Sequence, residues 1–465
     1  MRTVGLVVAL LLTAGCSGHA STAKKVVYPQ AWDSRVLPIV AFVEKERGHR
    51  FKHPVPVSFL SDAAFDKQVA VPAPESKKDK EELERGVGTL RALGLIRGHV
   101  DLVAQLNKLT SNSVIGLYVP AKHTVFVRGT TLTPYARSTL AHELTHVLQD
   151  QYFDLAKLKK KAPPGAEAAV TSLIEGDAVR VGSAFDKTLT ATEQRAYAAE
   201  ERKIQARGDS ASAQDIPAVL QEVESFPYVF GPVLLKILTQ QDGNDAVDRA
   251  FRSPPTEEAQ IIDPVGHAAG EKAQHVATPK LPPGAKKTDD DSAFGQISLF
   301  EVLGSRLPYL ASWAAVAGWK GDTSVTYSQD GRTCIAFDVA MKSTDSAMLL
   351  ATTFTRWAQQ VPGASVKRDG SLVAIRSCDP GTTAKPLPTT KPSAFEVLSV
   401  RAQFISALMD EKLPFPVARC TADGLLAGLG PARYGYLLAT ESQAAEITVI
   451  RQLVGTSVQR CRSSG

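Results

Sequence analysis

The chain has 465 residues, 44% of them hydrophobic, and a formal net charge of +5 at pH 7. This is enough apolar material for more than one packed unit. The charge is too weak and too scattered for a nucleic-acid surface, since the one lysine cluster, Lys157-Leu158-Lys159-Lys160-Lys161, reads as a solvated loop. Beyond the amino terminus no stretch approaches the roughly 18 apolar residues of a membrane span.

Arg2, the apolar run Val4 to Leu12 and the small residues Thr13-Ala14-Gly15 predict a signal peptide over residues 1–15. Cys16, directly after the small residues, resembles the cysteine of a bacterial lipobox, although Thr13 stands where leucine is commonest. The resemblance implies an exported protein, lipid-anchored through Cys16 to a bacterial membrane and facing away from the cytoplasm, with a polar tether over 16–32. Further on, Asp33 to Glu46 reads as a helix, Val55 to Leu60 as a strand and Glu81 to Leu109 as helical material. Ile115 to Val119 and His123 to Val127 read as a hairpin around Pro120-Ala121-Lys122. Helices are expected from Pro134, around Ala168 to Phe185, between 186 and 224, and over Tyr228 to Gln241, the last opened by Ser225 and Pro227. Asp242-Gly243-Asn244-Asp245 is a turn, Pro254-Pro255 starts a short helix, and Pro279 to Asp291 is a polar loop. Residues 323–380 alternate strand, helix and strand as a small α/β unit. A Pro/Thr-rich linker over 381–394 leads to a helical carboxy-terminal unit, 395–465.

The most informative segment is His142-Glu143-Leu144-Thr145-His146. Histidines four apart on a helix stand one turn apart on one face, so both imidazoles reach one ion with Glu143 beside them. Leu140, Leu144, Val147, Leu148 and Gln151 keep three-four spacing through the motif, which predicts the helix the chemistry needs. A catalytic zinc takes a third protein ligand. Glu175 is the best candidate, because it lies in an apolar helix beside the small residues Thr171, Ala178 and Gly182, where a charged group needs a partner. Glu167, next to the basic stretch Lys157 to Gly165, is the rival. Ligating histidines usually donate their second ring nitrogen to a neighbour. Asp177 is the nearest candidate for that partner, with Asp150 and Gln149 fixing the end of the metal helix instead.

His142-Glu143-x-x-His146 followed by Glu175-Gly176-Asp177-Ala178 resembles the gluzincins, zinc peptidases whose third ligand is a glutamate on the next helix, and in particular the peptidase MA-like group. The resemblance implies that His142, His146 and Glu175 bind zinc and that Glu143 is the general base. It also implies an α+β zincin-like domain, here with a helical extension over 33–322, in which an edge hairpin borders the cleft. Tyr228 in Tyr228-x-x-Gly231 looks like the oxyanion-stabilising tyrosine of several of these peptidases; His267 and His275 are weaker candidates for that role.

Setting Cys16 aside leaves Cys334, Cys378, Cys420 and Cys461, an even number that favours disulfides in an exported chain. Three pairings exist, and Cys334 with Cys378 and Cys420 with Cys461 are preferred because each pair brackets one unit. The expected function is hydrolysis of peptides or proteins by a lipid-anchored zinc metallopeptidase. The alternative is a non-catalytic cell-envelope protein that uses the same fold for binding or assembly.

Overall fold

The computed structural model describes residues 28–208, 216–262, 264, 272–383, 393–430, 433 and 444–463. The signal peptide, Cys16 and His267 lie outside them. The protein is α+β, with two sheets set among helices.

Helix α1 (Leu37–Arg47) leads to strand β1 (Val57–Leu60), helices α2 (Asp62–Val69), α3 (Lys77–Ala92) and α4 (Leu102–Ser113), and the hairpin β2 (Gly116–Val119) and β3 (Thr124–Arg128). The helical material expected over 81–109 is thus two helices; α3 starts at a capping box of Ser76 and Asp79 and stops before Gly94, whose φ is 71°. The first sheet runs β1-β3-β2, with β1 parallel to β3 and β2 antiparallel to it, so β2 is an edge. Its inner face, with Tyr118, Val125 and Val127, packs on helix α5 (Pro134–Phe153) through Leu140, Leu144, Val147 and Leu148. The stripe read from the sequence is therefore the buried face of α5, and the histidines flank it.

Helix α6 (Leu155–Lys161) occupies the stretch read as a basic loop. Lysine is a good helix former, the Asp154 side chain caps the Lys157 N–H, and Leu155 and Leu158 bury one side while the lysines stay in water. Helices α7 (Glu167–Asp186), α8 (Ala191–Gly208) and α9 (Ala218–Arg252) follow. Pro227 does not open α9; it lies buried inside it, and Pro232 also stands within the helix. Each proline removes one intrahelical bond, and burial of Phe226, Phe230, Leu234 and Leu235 in the main core holds the helix together across both. The turn signal at Asp242-Gly243 is a break within the same helix, with φ −158° and 55°.

A short helix α10 (Ala259–Ile262), the two-residue strand β4 (Lys286–Lys287) and helices α11 (Gln296–Gly304) and α12 (Tyr309–Val316) precede the second sheet. Strands β5 (Trp319–Gln329), β6 (Arg332–Met341), β7 (Ser365–Asp369) and β8 (Leu372–Cys378) join β4 in the antiparallel order β4-β5-β6-β8-β7, with helix α13 (Thr344–Ala358) inserted after β6. Cys334 and Cys378 sit opposite each other on β6 and β8 and form a disulfide. Of the last helices α14 (Ala394–Asp410), α15 (Phe415–Leu429) and α16 (Ala444–Ser463), the second and third are joined by Cys420–Cys461. One continuous core runs from Leu90, Leu173 and Phe230 through Phe337 and Trp357 to Phe395. It crosses positions 322 and 380, and Arg91 of α3 clamps Asp379 after β8 with contacts of 2.6 and 2.8 Å.

Candidate metal centre

Helix α5 is started by Thr133, whose Oγ1 accepts from the Ala136 N–H, and by Pro134 in its first turn. Two turns on, His142 and His146 turn their rings toward each other at 85°, with Nε2 atoms 3.0 Å apart. Glu175 of α7 completes a triangle, its Oε2 lying 3.2 Å from each Nε2. Donor atoms on one tetrahedral ion with bonds of about 2.0 Å stand about 3.3 Å apart. The triangle therefore fits three ligands of a single small cation. Among the described residues no other group of three histidine, cysteine or acidic side chains converges this way.

The electrostatics favour the same conclusion. Burial opposes the imidazolium of His146, yet Glu175 and then Glu143 hold its pKa up at about 9. Burial likewise opposes the Glu175 carboxylate, and His146 and His142 hold its pKa well below the usual carboxylate range. A cation held at this point would face the Glu175 carboxylate and both imidazoles at once. The site is not sealed: side chains of His142, His146 and Glu175 are 18%, 11% and 14% exposed.

The partner of the second ring nitrogen is Gln149. Its amide Nε2 donates to Asp177 Oδ2 at 3.0 Å and to the Ile174 carbonyl at 3.1 Å, which turns Oε1 toward His146 Nδ1 at 3.0 Å. With Nδ1 donating to Gln149, Nε2 keeps its lone pair for the centre. Asp177 is one link further out than the sequence suggested. Two residues past Glu175 on a helix is a rotation of about 200°, so Asp177 points away from the triangle and into a buried cluster. There it lies 2.9 Å from Arg47 Nε and 2.9 Å from Arg180 Nη2, and both cations hold its pKa down against burial. Arg47 also binds Asp248 at 2.9 Å, tying α1 and the end of α9 to the metal helices. Asp150 does fix the end of α5, accepting from the Tyr118 hydroxyl at 2.8 Å and the Leu155 N–H at 2.9 Å.

Glu143 is held beside the triangle by the edge strand. Its Oε2 accepts from the Tyr118 backbone N–H at 2.7 Å. The contact needs Gly116, where a Cβ would come within 2.6 Å of Thr139 Cγ2 and 3.1 Å of Glu143 Cγ. Tyr228 reaches the other side, its ring stacked toward His142 at a centroid distance of 6.3 Å and an interplanar angle of 24°. Nearly half of that residue is open to solvent. Desolvation by the protein around it, then Glu175, Glu143 and Glu224, hold its pKa well above the usual tyrosine value, so the hydroxyl stays a donor.

What brings Tyr228 there is a backbone contact between α7 and α9. A Cβ on Gly176, next to Glu175, would lie 2.5 Å from the Gly231 carbonyl carbon. Only two glycines allow this approach. Glu167 stands away from the triangle at the start of α7, accepting from the Gly165 N–H at 2.9 Å. His275 is exposed in an irregular segment and takes no part. Gln149, Arg47 and the Gly176–Gly231 contact are the parts that sequence reasoning missed; the i+3 spacing of Gln149 from His146 was the one local signal. No protein-family model, curated protein or solved structure matches the chain.

Proposed function

We propose that this protein is a zinc-dependent peptidase of the gluzincin type on a zincin-like fold. The observation that carries the reading is the open His142–His146–Glu175 triangle with a carboxylate, Glu143, on one side and a protonated hydroxyl, Tyr228, on the other. Two imidazoles and one carboxylate in tetrahedral spacing suit zinc and leave a fourth position free. Zinc bound there supplies Lewis acidity and a water of lowered pKa. Glu143, oriented by the Tyr118 N–H, accepts the proton of the attacking water and delivers it to the departing amine. The Tyr228 hydroxyl donates to the carbonyl oxygen of the scissile bond as that oxygen becomes anionic. Apart from the Tyr118 N–H held by Glu143, the edge of β2 can align an extended peptide by main-chain hydrogen bonds.

Export and lipidation at Cys16 belong to the same proposal. The two disulfides support the export; among the described residues no helix is long and apolar enough to cross a membrane. Elemental analysis and hydrolysis of a peptide mixture test the function together. Wild-type protein should hold about one zinc per chain, as a three-ligand site with one water requires. Glu175→Ala should lose the zinc, whereas Glu143→Gln should keep it and lose hydrolysis. A zinc-loaded wild-type protein that cleaves nothing would replace the peptidase reading with the non-catalytic envelope protein.

A further inference from the structure

We infer that Glu224 selects substrates carrying a positive charge, an ammonium or guanidinium group, at a fixed place beside the scissile bond. The inference rests on the peptidase reading and specifies its substrate class.

Glu224 lies four residues before Tyr228 on α9, so the two side chains share a face, about 6 Å apart along the helix. On that shared face the carboxyl stands one helical turn from Tyr228, whose ring stacks toward His142. It is partly buried and, among the described residues, has neither a hydrogen-bond donor nor a cation as partner. Most other buried acids in the molecule are provided for, Glu301 of α11 being an exception. Asp177 has Arg47 and Arg180, Asp248 has Arg47 and His49, Glu222 has Ser393, and Asp322 has the Phe294 and Gly295 N–H groups and Trp319. Burial alone holds the Glu224 carboxyl at about 7, with no cation to bring it down. A half-buried carboxylate without a counter-charge is costly, and a bound cation relieves that cost.

The surrounding chemistry also lacks donors. Pro227 offers no N–H to the carbonyl of Val223, and Pro232 offers none to that of Tyr228, so this stretch of α9 is rich in acceptors. Charge counting points the same way. A dication at the triangle would be balanced by Glu143 and Glu175, and Glu224, once ionised, then leaves the cleft with one surplus negative charge. An extended peptide advances about 3.3 Å per residue, so a group at Glu224 belongs one or two residues from the bond being cut. Two sources supply such a cation, a free amino terminus or a lysine or arginine side chain.

The test uses the zinc-loaded full chain and a synthetic random-peptide mixture, in one arm with free amino termini and in the other acetylated. Cleavage products are sequenced, and single peptides with lysine replaced by norleucine give kcat/KM ratios. A side-chain source predicts lysine or arginine enriched at one position in both arms. An amino-terminal source predicts cleavage confined to the free arm. In either case Glu224→Gln should cut the ratio of charged to neutral substrate at least tenfold, and Glu224→Lys should turn the preference toward acidic peptides. Hydrolysis without charge preference, or a preference that persists in Glu224→Gln, overturns the inference and leaves the peptidase reading standing. Retention of the same peptides on hydrolysis-deficient Glu143→Gln protein gives a binding readout. If wild type cleaves nothing, yet Glu143→Gln retains cationic peptides and Glu143→Gln/Glu224→Gln does not, the peptidase reading fails and the charge selection stands. Equal retention by both overturns the selection.

Discussion

Replacing Gly231 by alanine isolates the contact on which the position of Tyr228 depends. In an open helix interior, Gly→Ala stabilises by about 1 kcal/mol. At position 231 the new methyl would meet Gly176 Cα at 2.8 Å and Gly176 N at 2.9 Å, and the Ser172 carbonyl oxygen more closely still. Carbon contacts normally begin near 3.5 Å, so the overlap is about 0.7 Å against backbone that cannot rotate away. Overpacking of this kind costs roughly 1–3 kcal/mol, which leaves a net loss of up to about 2 kcal/mol after the helix gain. The control is Gly455→Ala in α16, where nothing lies within 4 Å of the added Cβ, and which should be stabilising. Denaturant midpoints should therefore move in opposite directions for the two variants. Zinc content should stay the same, because all three ligands ride on α5 and α7, while Tyr228 is carried outward with α9. A shift of about 1 Å at a catalytic group costs on the order of 100-fold in turnover. Gly231→Ala as stable as wild type, or unchanged in turnover, would refute the argument that the two glycines set the site.

Three other outcomes follow from the same geometry. Gln149→Leu should weaken zinc binding roughly 10- to 100-fold by freeing the His146 ring; competition with a chelator measures this, and equal affinity would remove Gln149 from the site. Tyr228→Phe should retain zinc and lose turnover by roughly 100- to 1000-fold if the hydroxyl meets the oxyanion, whereas a kcat/KM within about threefold of wild type would make Tyr228 a wall of the cleft only. Buried Glu258 has its pKa raised by burial from 4.5 to about 8, so the folded state keeps a proton that the unfolded chain releases. The stabilisation is complete below pH 4.5 and is lost as pH rises to about 8, at no more than about 1.4 kcal/mol per pH unit. Glu258→Gln should flatten the stability curve in that window, and an unchanged slope by chemical denaturation would contradict the assignment.

Local spacing alone determined which side chains share a face. His142, Glu143 and His146 are arranged by one turn of helix, the stripe Leu140, Leu144, Val147 and Leu148 says which side is buried, and Pro120-Ala121-Lys122 closes the hairpin that borders them. Glu175 was legible because an acid among small and apolar neighbours needs a partner, and the cysteine pairs because each brackets one element group. Tertiary structure decided everything that depends on which faces meet. Asp177 turns to Arg47, 130 positions away, and so Gln149 and not Asp177 touches His146. Pro227 reads as a helix start by its own chemistry, yet lies inside a helix held by burial of Phe226 and Phe230. Periodicity records the direction of a side chain relative to its own helix axis. The partner it finds is set by the packing of distant elements, which no window of sequence contains.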